Sequence, residues 1–242
     1  MCGRYASSRR ADDLVAEYGV DWVAPAARLL EPDYNVAPTK DVLAVRERSD
    51  PETCSAVREL RTMRWGLVPS WAQDPSGGGR LINARLESVA DKPAFRSAFL
   101  ARRCLLPADG YFEWYADAGG QPHFLHAADG GGLAMAGLYE RWHPPGETDP
   151  ASTLWTTTII TTAAMDAVGH LHDRMPVLLA RESWAAWLDP ASSDRAGLEH
   201  LLQAGGGQLT AYPVSKAVGN VAAGGAGLVA PVAAEPVQQR LL

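Results

Sequence analysis

The chain has 242 residues, of which 47% are hydrophobic and 21% charged, and its formal net charge is −6. That length makes one domain with a sizeable core and does not require two. The acidic balance argues against a nonspecific coat on duplex DNA, which calls for a basic surface, but leaves room for a narrow basic cleft.

In chain order, Met1-Cys2-Gly3-Arg4-Tyr5 comes first. Cys2 is small enough for the initiator Met to be trimmed, which leaves an α-amine and a thiol on one residue. Those groups titrate near ~8 and ~8.5, so both are partly available at neutral pH. Such an aminothiol condenses with an aldehyde to a thiazolidine, or serves as an N-terminal nucleophile in amide hydrolysis. A small buried residue at a strand start is the plain alternative. Ser7 or Ser8 then reads as the N-cap of a short helix with Leu14, Val15 and Tyr18 as its apolar stripe, ending at Gly19. Residues 31–38 read as an irregular proline-rich loop, 41–47 and 56–65 as strands, and 69–79 as a Gly-rich loop carrying Trp71.

Residues 90–100 have a helical pattern, and 104–115 read as strand, turn, strand around Asp109-Gly110. Strands follow at 123–126 and 133–140, a Pro/Gly loop at 143–151, and a β-branched strand at 155–162. Helices are predicted near 182–188 and 193–203, and the Ala/Gly-rich end from Gly219 is expected to fray. Short strands with interspersed helices predict an α+β single domain with a β-rich core of mostly antiparallel strands and peripheral helices. The expected boundaries are 1–221 for the domain and 222–242 for a partly ordered C-terminal segment.

The three cysteines, Cys2, Cys54 and Cys104, contain no CxxC pair, which removes zinc-ribbon and thioredoxin readings. Their odd, sparse count suits a reducing compartment. The polar start shows no signal peptide and no apolar run is long enough to span a membrane, so the expectation is a cytoplasmic protein, nucleoid-associated when on DNA. Eight Trp is a high count, explained first by burial and second by stacking surfaces. Arg4, Arg61, Arg64, Arg80, Arg85 and Arg174 recur near the motifs described next.

Six short motifs follow one another: Cys2-Gly3-Arg4, then residues 34–39 (YNVAPT), 63–71 (MRWGLVPSW), 83–87 (NARLE), 110–114 (GYFEW) and 172–176 (HDRMP). Each is weak alone. In this order, behind a cysteine at position two, they resemble the SOS-response-associated peptidase (SRAP) family of abasic-site-processing proteins, from Cys2 to about Val221. The resemblance implies capture of the ring-opened aldehyde of an abasic site in single-stranded DNA, as a thiazolidine DNA–protein crosslink on Cys2 that shields the lesion. It implies Cys2, Asn83, Glu113 and His172 as the reacting set, with Asn83 orienting the N-terminal residue and Glu113 and His172 moving protons. It implies Arg4, Pro38, Trp71, Arg85, Thr161 and Arg174 as contacts to DNA.

The residues themselves support parts of this. A carboxyl among Tyr111, Phe112 and Trp114 has a raised pKa suited to acid catalysis, where an unremarkable Glu113 would face solvent. A neutral His172 can donate to a sugar hydroxyl or shuttle a proton, or simply bond backbone. Asn83 can equally cap a turn. Arginine forks suit phosphates, but Glu87 and Asp173 offer ordinary ion pairs. Trp71 suits base stacking or core packing. His170 and His172 invite a metal, but no third and fourth ligands are evident, so neither metal nor cofactor is expected. Ser70-Trp71 replaces the paired tryptophans of many relatives, and Ala222-Ala223 stands where they often carry Asn.

The expected partner is single-stranded DNA with abasic sites, including single/double-strand junctions, met by a monomer; a replication-machinery partner is not identified by the sequence. Two other readings remain at this point: an N-terminal-nucleophile amidohydrolase using Cys2, and a noncatalytic single-strand binder using Trp71 and the arginines.

Overall fold

The computed structural model describes residues 2–115, 120–164 and 172–233. Two sheets share the core. The smaller has five strands in the order β13-β9-β8-β1-β3. These are β1 (Tyr5–Ser7), β3 (Asp33–Val36), β8 (Gly110–Tyr115), β9 (Gln121–Ala127) and β13 (Leu209–Pro213). The larger comprises β2 (Trp22–Val23), β4 (Asp41–Ser49), β5 (Ala56–Trp65), β6 (Asn83–Arg85), β7 (Arg103–Ala108), β10 (Leu133–Trp142), β11 (Leu154–Ala163) and β12 (Arg174–Pro176). Most pairings are antiparallel. The parallel exceptions are β2 with β5, and β11 with β5 and β6.

The β5–β11 pairing is what shapes the molecule. Because β11 also leads through β10, β7 and β4 back to β5, these strands close into a barrel. Alternation along each strand then separates two environments. Val42, Ala44, Met63, Trp65, Leu106 and Ile159 point inward and join Cys2, Tyr5 and Tyr111 in one cluster. Leu43, Val45, Leu60, Leu105, Leu138 and Ile160 point outward, under a coat of helices. Those helices are α1 (Ala11–Tyr18), α2 (Arg96–Ala101), α3 (Trp184–Leu188) and α4 (Arg195–Gln203). The smaller sheet caps one barrel end, where Tyr5 meets Trp65 edge-on at 5.2 Å. The α+β expectation holds, with mostly antiparallel strands and helices outside.

Several local expectations shift. The first helix starts after Arg10, not at Ser7 or Ser8, because Ser7 is spent in β1 and Asp13 reaches back to the Arg10 N–H at 3.1 Å. It does end at Gly19, whose φ of 62° suits glycine. The 31–38 loop contains β3, recruited because β1 needs an edge partner and pairs Tyr5 with Val36. In 90–100 only the end is α-helix: Pro93 disfavours helix in the residue before it, so the helix begins at Arg96. The strands flanking Asp109-Gly110 exist but are no hairpin, since β7 is a barrel stave and β8 a cap strand. A Cβ on Gly110 would collide with the Phe124 ring, which explains glycine at that crossing.

The C-terminal segment is anchored at Leu228, with most of its other described residues exposed. Leu228 is buried with Phe112 and Phe124, and Tyr212 Oη donates to the Val229 carbonyl at 2.8 Å. No helix among the described residues is long and apolar enough to cross a membrane.

Candidate active site

The cap sheet carries the chain start onto the barrel rim. Tyr5 pairs with Tyr111, and the Phe112 N–H donates to the Arg4 carbonyl at 2.9 Å. This register sets Glu113 opposite Gly3, beside Cys2. From the barrel side, β6 runs parallel to β11 with Asn83 opposite Ile159. Asn83 Nδ2 then donates to the Cys2 carbonyl oxygen at 2.8 Å. The sheet pairings thus join residues that are 81 positions apart in the chain.

Electrostatics follow from burial. Cys2 has no solvent exposure, so burial first and the nearby Glu113 second raise its thiol pKa far above the ordinary range. Burial likewise raises the Glu113 carboxyl above its ordinary value, opposed by the attraction of His172. Glu113 is 5% exposed, which favours the protonated, proton-donating form. Tyr5 and Tyr111 flank the thiol, and burial raises both phenols. Neither is an acid at neutral pH; they wall the site and shut out water.

His172 Nδ1 lies 2.9 Å from the Arg174 N–H and 2.8 Å from Asp173 Oδ1. The two contacts suit different protonation states. A neutral Nδ1 accepts from the N–H and leaves the proton on Nε2, whereas a protonated Nδ1 pairs with the carboxylate. Asp173 is largely solvated, so its charge is screened and the backbone bond is the stronger anchor. His170 lies outside the described residues, so the metal reading of that pair has no geometry here.

Cys2, Asn83, Glu113 and His172 therefore converge. The six expected DNA contacts do not behave alike. Arg85 is exposed on β6, and Trp71 is 65% exposed on its loop. That loop is pinned at its base by Gly66, with φ of 126°, where a Cβ would come within 2.7 Å of the Gly78 carbonyl oxygen. Pro38 is half-buried in the turn after β3. Arg4 donates to Asn35 Oδ1 at 2.7 Å and to the Val218 carbonyl at 2.8 Å. Arg174 forms a two-pronged pair with Glu87, at 2.6 and 3.0 Å, and donates to the Thr161 carbonyl at 2.6 Å. Thr161 itself is fully buried. In this structure Arg4 and Arg174 thus have protein partners, the ordinary alternative for such residues.

Asn35 is the residue whose part the sequence did not disclose. It is fully buried, accepts from Arg4, and donates to the Asn220 and Ala223 carbonyls at 2.9 Å each. An Asn between apolar residues in the YNVAP run was the available signal, but its partners lie 185 and 188 positions away.

Comparison with known proteins agrees with this arrangement. The family model described as SOS response associated peptidase (SRAP) matches residues 1–221. The abasic site processing protein YoqW of Bacillus subtilis is 37% identical over 221 residues, covering 90% of this chain and 94% of the relative. The abasic site processing protein YedK of Escherichia coli is 34% identical over 239 residues, covering 96% and 100%. A Bacteroides thetaiotaomicron protein of known structure shares the fold at a TM-score of 0.77 and 24% identity, covering 96% of this chain and all of that one. With a family match over nearly the whole chain and relatives at this identity and coverage, the chain belongs to the SOS response associated peptidase (SRAP) family.

Proposed function

We propose that this protein processes abasic sites in single-stranded DNA, capturing the lesion aldehyde covalently on Cys2 once Met1 is removed. The observation that carries this reading is the junction of Cys2 with Asn83 and Glu113 at the barrel rim. An N-terminal residue is held by its carbonyl, beside a carboxyl whose pKa burial raises above its ordinary value. The names of the relatives YoqW and YedK, both abasic site processing proteins, support the substrate.

The chemistry balances with no cofactor. The free Cys2 amine adds to the aldehyde carbon and gives a carbinolamine. Glu113 donates a proton to its hydroxyl, which leaves as water, and an imine remains. The Cys2 sulfur then adds to the imine carbon, its proton passes to nitrogen, and the thiazolidine ring closes. One water is lost overall. His172 returns the proton or assists opening of the sugar ring.

Intact mass spectrometry with an abasic oligonucleotide tests this reading. The expected product is protein lacking Met1 plus oligonucleotide minus one water. Cys2→Ser should give at most a reducible imine, and a noncleavable residue placed ahead of Cys2 should abolish the adduct. Cys54→Ser and Cys104→Ser should react normally. A lesion-independent adduct, or full reaction by the blocked terminus, overturns the proposal. Amide hydrolysis without any adduct would favour an N-terminal-nucleophile amidohydrolase, and plain binding a noncatalytic single-strand module.

A further inference from the structure

The other end of the barrel is built differently from the Cys2 end. Interior positions there are Arg46, Glu59, Arg61, Tyr139 and Trp155, where inward residues nearer Cys2 are apolar. From Ile159 to Trp155 along β11 is four residues, about 13 Å at the usual strand rise. This mouth is therefore separate from the candidate active site.

Three guanidiniums crowd one indole. Arg61 lies 4.0 Å from the Trp155 ring centre, Arg46 4.8 Å and Arg141 5.8 Å. Within the mouth, the single carboxylate among the described residues is Glu59, which binds both Arg46 and Arg61 and is 1% exposed. Nearby Arg48 and Asp50 face each other at 4.0 Å and cancel. Cation–π contact orients the three arginines but neutralises none of them. One negative charge thus meets three positive ones, in a chain whose total is −6. Arg46 Nε is also buried with no hydrogen-bond partner among the described residues. A purely structural plug would be cheaper if apolar, because excess buried charge costs desolvation.

The mouth is reachable. Arg141 is exposed, and Trp22, 40% exposed, lies 5.9 Å from Arg61. Arg61 keeps Nε and Nη2 on Glu59, at 2.9 and 2.6 Å, which leaves Nη1 for a ligand; with the exposed Arg141 and the exposed Trp22 indole it matches a phosphate followed by a base, the pattern of single-strand grooves. An acidic peptide would use the charge and leave Trp22 idle.

We propose that this mouth is a second, noncovalent contact for single-stranded nucleic acid, with a phosphate held by Arg61 and Arg141 and a base stacked on Trp22. The choice of strand rests on the reading of the protein as a DNA-lesion binder; the mouth itself takes no part in the chemistry on Cys2.

The test compares wild type with Arg61→Gln/Arg141→Gln, Trp22→Ala and the charge-keeping Arg61→Lys/Arg141→Lys. Fluorescence anisotropy with undamaged oligo-dT, long and short, is read against salt. Single strands lose about 0.7 in log affinity per log salt for each phosphate neutralised, so the Gln pair should make the slope shallower by about 1.4. Long-oligonucleotide affinity should fall roughly tenfold at low salt. The Lys pair should keep the slope. Crosslinking of a short abasic oligonucleotide should not change in any variant. If Arg61→Gln unfolds the barrel, exposed Arg141→Gln alone should still remove about 0.7 from the slope. Unchanged slope and affinity in folded variants overturn the proposal, as does binding of polyglutamate that oligo-dT cannot displace. Failure of wild type to crosslink an abasic strand counts against the reaction on Cys2 and not against this mouth.

Discussion

Asn83 bonds Cys2 through only one end of its amide. Nδ2 donates to the Cys2 carbonyl at 2.8 Å, while Oδ1 is buried and has no hydrogen-bond partner among the described residues. A buried acceptor left unmade costs free energy. Removal of Met1, as proposed above, would supply a donor for it on the same residue, the freed Cys2 amine. In the processed protein Asn83 would then grip Cys2 at both ends.

This separates two substitutions. Asn83→Asp keeps the acceptor but turns a carboxylate toward the Cys2 carbonyl, and Asn83→Ala removes both contacts. Single-turnover crosslinking should fall in both, by about 10²-fold for Ala, the scale of a misplaced reacting group. Binding of undamaged single strands should be unchanged. Wild-type rates in Asn83→Ala would show that the sheet alone positions Cys2.

Glu113 gives a prediction in pH. Its carboxyl is raised above the ordinary 4.5 by burial, so the folded state holds this proton more tightly than the unfolded chain. The stability it contributes is full below pH 4.5 and is lost as pH rises through the folded value. Glu113→Gln mimics the protonated form and should lose none of it. Thermal melts should show the variant gaining on wild type from pH 4.5 toward neutral. Crosslinking should move the other way and drop about 10²–10⁴-fold, because glutamine cannot give up a proton. A melt difference that is flat with pH would mean the carboxyl is not perturbed in the protein.

The legible part of this protein was what lies close in sequence. The strands β4, β5, β10 and β11 are each read from local sequence, β4 by alternation and β11 by its β-branched residues, and the GYFEW run places Glu113 on a strand among aromatics. Barrel closure was not legible, because the β5–β11 pairing joins Arg64 to Thr156, 92 positions apart in the chain. Arg4 and Arg174 read as phosphate ligands because guanidinium chemistry is the same whether the partner is DNA or protein. Glu87 was an available ion-pair partner for Arg174 in the sequence, whereas only the fold brings Val218 to Arg4. The Arg61–Trp155 stack was hidden for the same reason, although Arg61 stood out by its place near a motif.

Asn35 ties the C-terminal segment to the chain start that carries Cys2, through Arg4. Asn35→Ala would leave Arg4 and the carbonyls of Asn220 and Ala223 without their partner. Leaving such buried groups unmade costs about 1–3 kcal/mol. Hydrogen exchange should quicken first in residues 216–231 and next at the Arg4–Phe112 bond. Uniform protection equal to wild type would mean that the apolar packing of Leu228 holds the segment unaided.

The arginine pairings also set the salt dependence near Cys2. Three free guanidiniums at Arg4, Arg85 and Arg174 would give a slope near −2, at about 0.7 per phosphate. Arg4 is taken up by Asn35 and Val218, and Arg174 by Glu87 and Thr161. The Arg85 side chain makes no hydrogen bond or ion pair among the described residues. Arg85→Gln should therefore make the slope shallower by about 0.7, while Arg174→Gln should hardly change it. Glu87→Gln is the sharper test, because it removes the competitor and not the cation. It should release Arg174 to a phosphate, steepen the slope by about 0.7 and tighten binding at low salt. The Glu87 carboxyl is held below its ordinary value chiefly by its bond to Arg174, so at neutral pH it is charged and the competition is fully present. Anisotropy titrations of undamaged single strands over a range of salt read all three variants. A Glu87→Gln slope equal to wild type would mean that Arg174 stays on Thr161 whatever charge Glu87 carries, and that its place is in the fold of the rim alone.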